Sequence, residues 1–180
     1  ILEGKTSINL EPSEELKNLE NPYNPTQRVG VEHSFDTAYY NGQYYVYFGI
    51  VPAILIFVPF KLLTGFYLPT NVGTFLFVSL SMVASTMLMI QIYKRWFKKI
   101  PFNLLFLFII AGCISGLYVW NTWRMWVYEL TLMAGYFFVQ LGLICIFKAT
   151  KDKEKVNLKY LFLACLSMAL AVGCRPTLVL

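Results

Sequence analysis

The sequence predicts an all-α polytopic membrane protein preceded by an ordered outer loop with a short β-hairpin. Three observations predict this. Apolar residues make up 57% of the chain, against ~45–50% in ordinary globular chains, and they gather after Phe48 into runs of the length that lipid-spanning helices require. Asn41-Gly42 lies between two aromatic runs, and this dipeptide is what a type I′ hairpin turn demands. Charge is partitioned. Up to Phe48 the acids Glu3, Glu11, Glu14, Glu15, Glu20, Glu32 and Asp36 outnumber Lys5, Lys17 and Arg28. The bases gather in Lys94–Lys99 and in the run Lys148, Lys151, Lys153, Lys155 and Lys159. The net charge of +5 is therefore a topology signal and implies no nucleic-acid partner. The partner it implies is the lipid bilayer.

Residues 1–49 form the outer loop. Ser13 caps a short helix over Glu14–Leu19, with acids in its first turn. Asn21-Pro22 stops it and Asn24-Pro25 adds a turn, while Leu10, Leu16, Leu19, Tyr23 and Val29 give the loop an apolar interior. A two-residue turn at Asn41-Gly42 places Tyr40 opposite Gln43, Ala38 opposite Tyr45 and Asp36 opposite Tyr47. Asp36 then shares a face with Tyr45 and Tyr47.

Residues 50–65 are a juxtamembrane helix. Ile50–Leu63 is apolar apart from Lys61, but it would rise only ~21 Å against a hydrocarbon core of ~30 Å. Extending it from Tyr45 to Leu68 would reach across only by dissolving the hairpin, and it would put the acidic region on the side of Lys94–Lys99. Residues 72–180 hold four spans: Val72–Tyr93, Phe102–Trp120, Met125–Phe147 and Leu161–Leu180. Gly112 and Gly116 make a G-x-x-x-G packing motif, and Trp120, Trp123 and Trp126 form an interfacial belt. Residues 1–71 lie on the outer side of the cell membrane. Cys113, Cys145, Cys165 and Cys174 fall in apolar runs without metal-ligand spacing and read as packing residues. The chain begins at Ile1 and stops within an apolar run, so it is expected to be a piece of a longer protein.

Asn21-Pro22-Tyr23-Asn24-Pro25, then Arg28, then Asp36 through Pro52 and the apolar run to Gly65 resemble the first outer loop of bacterial membrane proteins related to the C-type glycosyltransferases. That superfamily includes protein O-mannosyltransferases and aminoarabinose transferases. The chain departs from the family pattern with Asn24 for Asp, Gln43 for Lys and Ile50 for Pro, and it carries a weaker echo at Gly173–Thr177. The resemblance implies a C-type glycosyltransferase-like fold and transfer of a sugar from a polyprenyl-phosphate donor to an acceptor on the outer face. In this family the essential acid usually follows the first membrane helix, a region expected upstream of Ile1.

Ionisable residues inside a membrane usually mark a site or a buried pair, and Glu129 and Arg175 are the two here. Both are expected in the outer leaflet, with Arg175 facing a cavity shared with the Asp36 hairpin. In the functional reading Arg175 engages the donor phosphate, Asp36 is the general base, and His33, Tyr45, Tyr47 and Glu129 contact substrate. In the structural reading Glu129 pairs with Arg175 or Arg124, Asp36 bonds Tyr47, and His33 is an interfacial loop residue. No cofactor is assigned, since no D-x-D, glycine-rich nucleotide loop or metal-spaced cluster occurs, and dependence on a divalent metal is left open. The alternative function is a non-enzymatic transporter or envelope-assembly component on the same scaffold.

The topology is checked by cysteine labelling in intact cells. Gln43→Cys should react with an impermeant maleimide, and Lys153→Cys only after permeabilisation. Equal labelling from outside defeats the assignment.

Overall fold

The computed structural model describes residues 7–8, 10–34, 37–46, 49–152 and 155–176. The protein is mostly helical, with a single two-stranded sheet among these residues, and it divides into two compact units, Ile1–Tyr47 and Phe48–Leu180.

In the first unit, α1 (Glu14–Lys17) begins at Ser13, whose Oγ accepts from Leu16 N at 3.3 Å and donates to the Glu32 carbonyl at 2.8 Å. One hydroxyl thus caps the helix and ties down a strand of loop nineteen residues away. The helix is two residues shorter than expected, because Asn18 already donates to Glu14 O as the C-cap. Leu16 is the plug of this unit, 1% exposed. The Asn-Pro pairs that follow are paired side-chain turns. Asn21 Oδ1 accepts from Tyr23 N at 3.0 Å, and Asn24 Oδ1 from Thr26 N at 3.1 Å, each proline occupying the next position, where its fixed φ suits a turn. An aspartate at 24 would offer the same acceptor, so the departure at Asn24 preserves the turn.

Strands β1 (Ala38–Tyr40) and β2 (Gln43–Tyr45) pair Ala38 with Tyr45, Tyr39 with Tyr44 and Tyr40 with Gln43, the expected register. Asn41 and Gly42 take φ of 47° and 74°, the left-handed region that this turn requires. The expected pairing of Asp36 with Tyr47 lies outside the described residues. Not anticipated was a third segment beside β2, where Ile8 N donates to Tyr44 O at 2.8 Å and Ser7 bridges Tyr45.

In the second unit the segment after Pro52 is helical but short, a π-helical turn (Ala53–Phe57) running into α2 (Val58–Thr64). The wide turn has a covalent cause. Pro59 has no N–H to give Leu55 O, and the ladder shifts so that Val58 N donates to Ala53 O, one residue beyond the α pattern. Gly65 at φ 77° closes α2, and Lys61 reaches over it to lie 3.8 Å from the Tyr67 ring centre.

Three helical runs are long and apolar enough to cross a membrane: α3 (Thr70–Trp96), the run Phe102–Trp123, and α6 (Val127–Ala149). The fourth expected span is a shorter apolar helix, α7 (Leu158–Cys174), of 17 residues. The second run is also not the continuous helix expected. It divides into α4 (Phe102–Cys113) and α5 (Gly116–Trp123), with Ser115 extended at ψ 149°. Gly112 and Gly116, both poor helix formers, flank the break. Contacts fix the directions. From one end to the other, α3 meets α6 at Gly73–Leu130, Ser81–Met133 and Arg95–Thr150, so these helices run parallel. The α4–α5 run is antiparallel to α3 through Gly112–Met89 and Tyr118–Ser85, and α7 is antiparallel to α6 through Met168–Gly142 and Arg175–Tyr128.

The core gathers on α6, where Met133 and Ala134 are fully buried against Phe77, Val78, Tyr118 and Ala171. A neutral polar network joins three helices beside it. Ser85 Oγ lies 2.5 Å from both Tyr118 OH and Gln140 Nε2, and Tyr118 OH donates to Ser81 O at 3.2 Å. Such bonds hold helices together where lipid offers no competing partner.

The start of this unit is seated on the end of α7. Gly49 N donates to Cys174 O at 3.1 Å, and a Cβ on Gly49 would overlap the backbone of Gly173 and Cys174. Backbone cannot yield as a flexible side chain does. Gly49→Ala should therefore cost about 1–3 kcal/mol, read as a lower unfolding temperature of the purified protein in detergent. An unchanged midpoint would show that this seat does not contribute to stability.

Candidate functional site

Two constellations carry the predicted residues, one in each unit. In the loop unit a cleft of about 260 Å³ is lined by residues of the Asn-Pro turns, of the hairpin and of the segment between them, among them Tyr23, Arg28, His33, Ser34, Thr37, Tyr39 and Tyr44. Tyr39 and Tyr44 point to this side of the hairpin and meet edge to face at 5.7 Å. Tyr44 is 3% exposed, and its hydroxyl accepts from Ser34 N at 3.1 Å, which holds Ser34 against the sheet. Arg28 is brought in by the Asn24 turn, its N–H on Asn24 O. Its Nε is buried without a hydrogen-bond partner among the described residues.

His33 lines the cleft, with Nδ1 2.8 Å from Val31 O. A neutral ring donating there presents Nε2 as an acceptor. Asp36 falls between Ser34 and Thr37, both lining residues, but Asp36 and Tyr47 lie outside the described residues. Tyr45 sits on the opposite face of the hairpin, beside Tyr40 at 6.5 Å between ring centres, with its hydroxyl on Gln43 Oε1. The structure therefore brings His33 to the cleft and turns Tyr45 away. Arg28 and Tyr44 were passed over by sequence reasoning, although Arg28 stood in the motif itself.

The second constellation lies where α6 begins and α7 ends. Trp126 is the N-cap residue of α6, and Glu129 follows in its first turn, where the helix dipole favours a carboxylate. Glu129 is 5% exposed. Its Oε1 lies 3.7 Å from Arg124 Nε, while its Oε2 is buried without a partner among the described residues. Of the two ion pairs considered for Glu129, the one with Arg124 forms. The Arg124 guanidinium also lies 4.3 Å from the Trp126 ring centre.

Arg175 is not inside a helix running to Leu180, as the sequence was read. It is the C-cap residue of α7, with φ −151° and ψ 107°, because the residue before a proline is pushed out of the helical region, and Pro176 follows. Its N–H still donates to Ala171 O at 3.1 Å, and the cation sits at the helix end that favours it. The guanidinium lies 4.3 Å from the Tyr128 ring centre and donates to Tyr128 OH at 2.5 Å. Tyr128, absent from the sequence-level site, thus orients Arg175. The expectation that Arg175 shares a cavity with Asp36 falls on a residue outside the described set.

Removing Arg124 leaves a carboxylate at Glu129 in a buried position, which is more costly than removing both charges. Arg124→Gln should lower the unfolding temperature in detergent, and Arg124→Gln/Glu129→Gln should recover part of the loss. If the double variant is less stable than Arg124→Gln, the pair is not what steadies Glu129.

The chain matches no protein-family model, no curated protein and no solved structure in comparisons with each.

Proposed function

We propose that this chain belongs to an integral membrane glycosyltransferase that moves a sugar from a polyprenyl-phosphate donor to an acceptor on the outer face. The observation that carries the reading is Arg175, a permanently charged planar cation at the end of an apolar helix, oriented by stacking and by a hydrogen bond from its edge to Tyr128. A phosphate held at that depth calls for a donor that stays charged in a poorly hydrated setting, and arginine does. The cleft of the loop unit adds support, because tyrosine rings beside an arginine, a histidine and two hydroxyl residues suit a hydroxylated ligand.

In this reading Asp36 takes the proton of the acceptor hydroxyl as that oxygen bonds the anomeric carbon. The bond from that carbon to the phosphate oxygen breaks with its electron pair on the phosphate, and Arg175 meets the charge that develops there. His33 contacts the acceptor through Nε2, and Glu129 holds Arg124 beside the donor. Tyr45, on the face of the hairpin away from the cleft, and Tyr47, outside the described residues, are assigned to guide lipid or acceptor toward it.

One observation favours the alternative, a non-enzymatic transporter or assembly component. The Phe102–Trp123 run is divided at Ser115, and discontinuous helices often supply transporter binding sites.

The discriminating assay is sugar transfer from a polyprenyl-phosphate donor by the full-length protein in membranes, with expression level and unfolding temperature as folding controls. Arg175→Lys and Asp36→Asn should each reduce transfer at least tenfold at unchanged expression. Unchanged transfer in both overturns these assignments. No transfer by the unaltered protein, with uptake or export abolished by substitutions at Ser115, would establish the alternative.

A further inference from the structure

The loop joining α6 to α7 lies at the end of the bundle opposite Arg175 and has no part in the proposed reaction. It is built with unusual care for a connection. Asn157 N donates to Ala149 O at 3.0 Å, closing the loop on itself. The Asn157 side chain caps α7 by accepting from Lys159 N at 3.1 Å and Tyr160 N at 3.5 Å. Arg95 of α3 clamps the start of the loop with two donors, to Thr150 Oγ1 at 2.9 Å and Thr150 O at 3.0 Å. The closed loop frames an open cleft of about 1070 Å³ lined by Lys148, Lys151, Asp152, Lys155, Asn157 and Tyr160. Among the described lining residues, three ammonium groups and one carboxylate give an excess of positive charge. Lys148 Nζ stands 5.5 Å from the Tyr160 ring centre, so an aromatic wall backs one of the cations.

The geometry points to an anionic phospholipid headgroup, held by Lys148, Lys151 and Lys155 in the leaflet at this end of the bundle. Two features favour a lipid over a soluble anion. The helix that starts at the cleft exposes large apolar side chains at once, Leu158 and Phe162 being 74% and 68% exposed, which offers acyl chains a surface next to the headgroup. The lysines are themselves exposed. Their pull on a freely diffusing ion is screened by salt beyond about 8–10 Å, whereas a lipid is confined to the surface where they act.

The test uses the full chain in nanodiscs of phosphatidylcholine containing about one-quarter phosphatidylglycerol, with retained lipid counted by native mass spectrometry after extraction. Each lysine near an anionic surface is worth about fivefold in affinity, so Lys148→Gln/Lys151→Gln/Lys155→Gln should weaken phosphatidylglycerol retention roughly a hundredfold. Lys151→Gln alone should weaken it about fivefold, which keeps the test open should the triple variant fold poorly. The comparison is Lys94→Gln/Lys98→Gln/Lys99→Gln, which removes the same charge from the neighbouring basic loop and should leave most retention intact. Equal loss in both triple variants would mean a diffuse basic surface and overturn the site. Displacement of phosphatidylglycerol by millimolar inorganic phosphate would assign the cleft to a soluble anion and overturn the lipid. Neither outcome bears on Arg175 or on sugar transfer.

Discussion

Close approach of α6 to the helices on either side of it is the constraint on which the Phe48–Leu180 unit depends. Hydrocarbon gives helices no hydrophobic reason to associate, so contact must come from packing and from polar bonds. On α6, Gly142 admits Met168 of α7, and Leu130 reaches the gap left by Gly73 of α3. Ala134 lies fully buried between these contacts. Add a methyl group at Gly73 and it meets the Phe57 ring at 2.9 Å, so the short helix at the start of the unit is registered against the same place. The seat of Gly49 on Cys174 follows from this arrangement. Once α7 is fixed along α6, its last carbonyls are fixed too, and one of them receives Gly49 N.

Proline and glycine punctuate the rest. Pro59 widens the turn before α2, and Pro176 frees Arg175 from the helix. Pro22 and Pro25 set two side-chain turns that carry Arg28 into the loop cleft. In each case the missing N–H or the fixed φ acts on a neighbour, although the π turn at Ala53–Phe57 and the release of Arg175 from α7 differ from the sequence-based expectation. The hairpin register, the end of the short helix before Gly65 and the alternation of the passes were legible. Asn41-Gly42 has few alternatives to a two-residue turn, and runs of twenty apolar residues have few alternatives to a long helix.

Most of what the sequence did not disclose depends on contact between residues far apart in the chain. Tyr44 and Tyr45 are adjacent and chemically identical, and only the packing of Leu16 and the Ser34 N–H decides that Tyr44 is the buried one. The strand-like segment at Ser7 needs β2 as its partner. The pairing of Glu129 with Arg124 is legible in the sequence, but that of Arg175 with Tyr128 is not, because a tyrosine in a membrane helix reads as an interfacial anchor until α7 is placed beside it. The break at Ile114–Ser115 lies in an apolar run with no proline, and the flanking glycines read equally well as a packing motif. Asn24 is the instructive opposite. Its turn is local: Asn24 Oδ1 accepts from Thr26 N two residues on, as the Asn-Pro dipeptide alone foretells.

Polar groups are sorted by depth in a way that bears on function. Midway along α3 and α6 the buried polar groups are neutral: Ser81, Ser85, Tyr118 and Gln140, bonded to one another or to backbone. Neutral partners suffice there to hold helices together, and a charge at that depth would cost several kcal/mol without compensation. Among the described residues of the long helices, charges lie toward the ends, and the two ends differ in kind. Arg124, Glu129 and Arg175 sit where an aromatic ring or an opposite charge holds each side chain in one orientation. At the other end Lys148, Lys151 and Lys155 are exposed around an open cleft. Orientation matters for chemistry on a defined bond, whereas exposed point charges suffice to hold a headgroup. Arg95, at the same end as these lysines, is likewise held, by Thr150 and beside the Trp96 ring, so what sets this end apart is the exposed lysine cleft on which the proposed headgroup site rests.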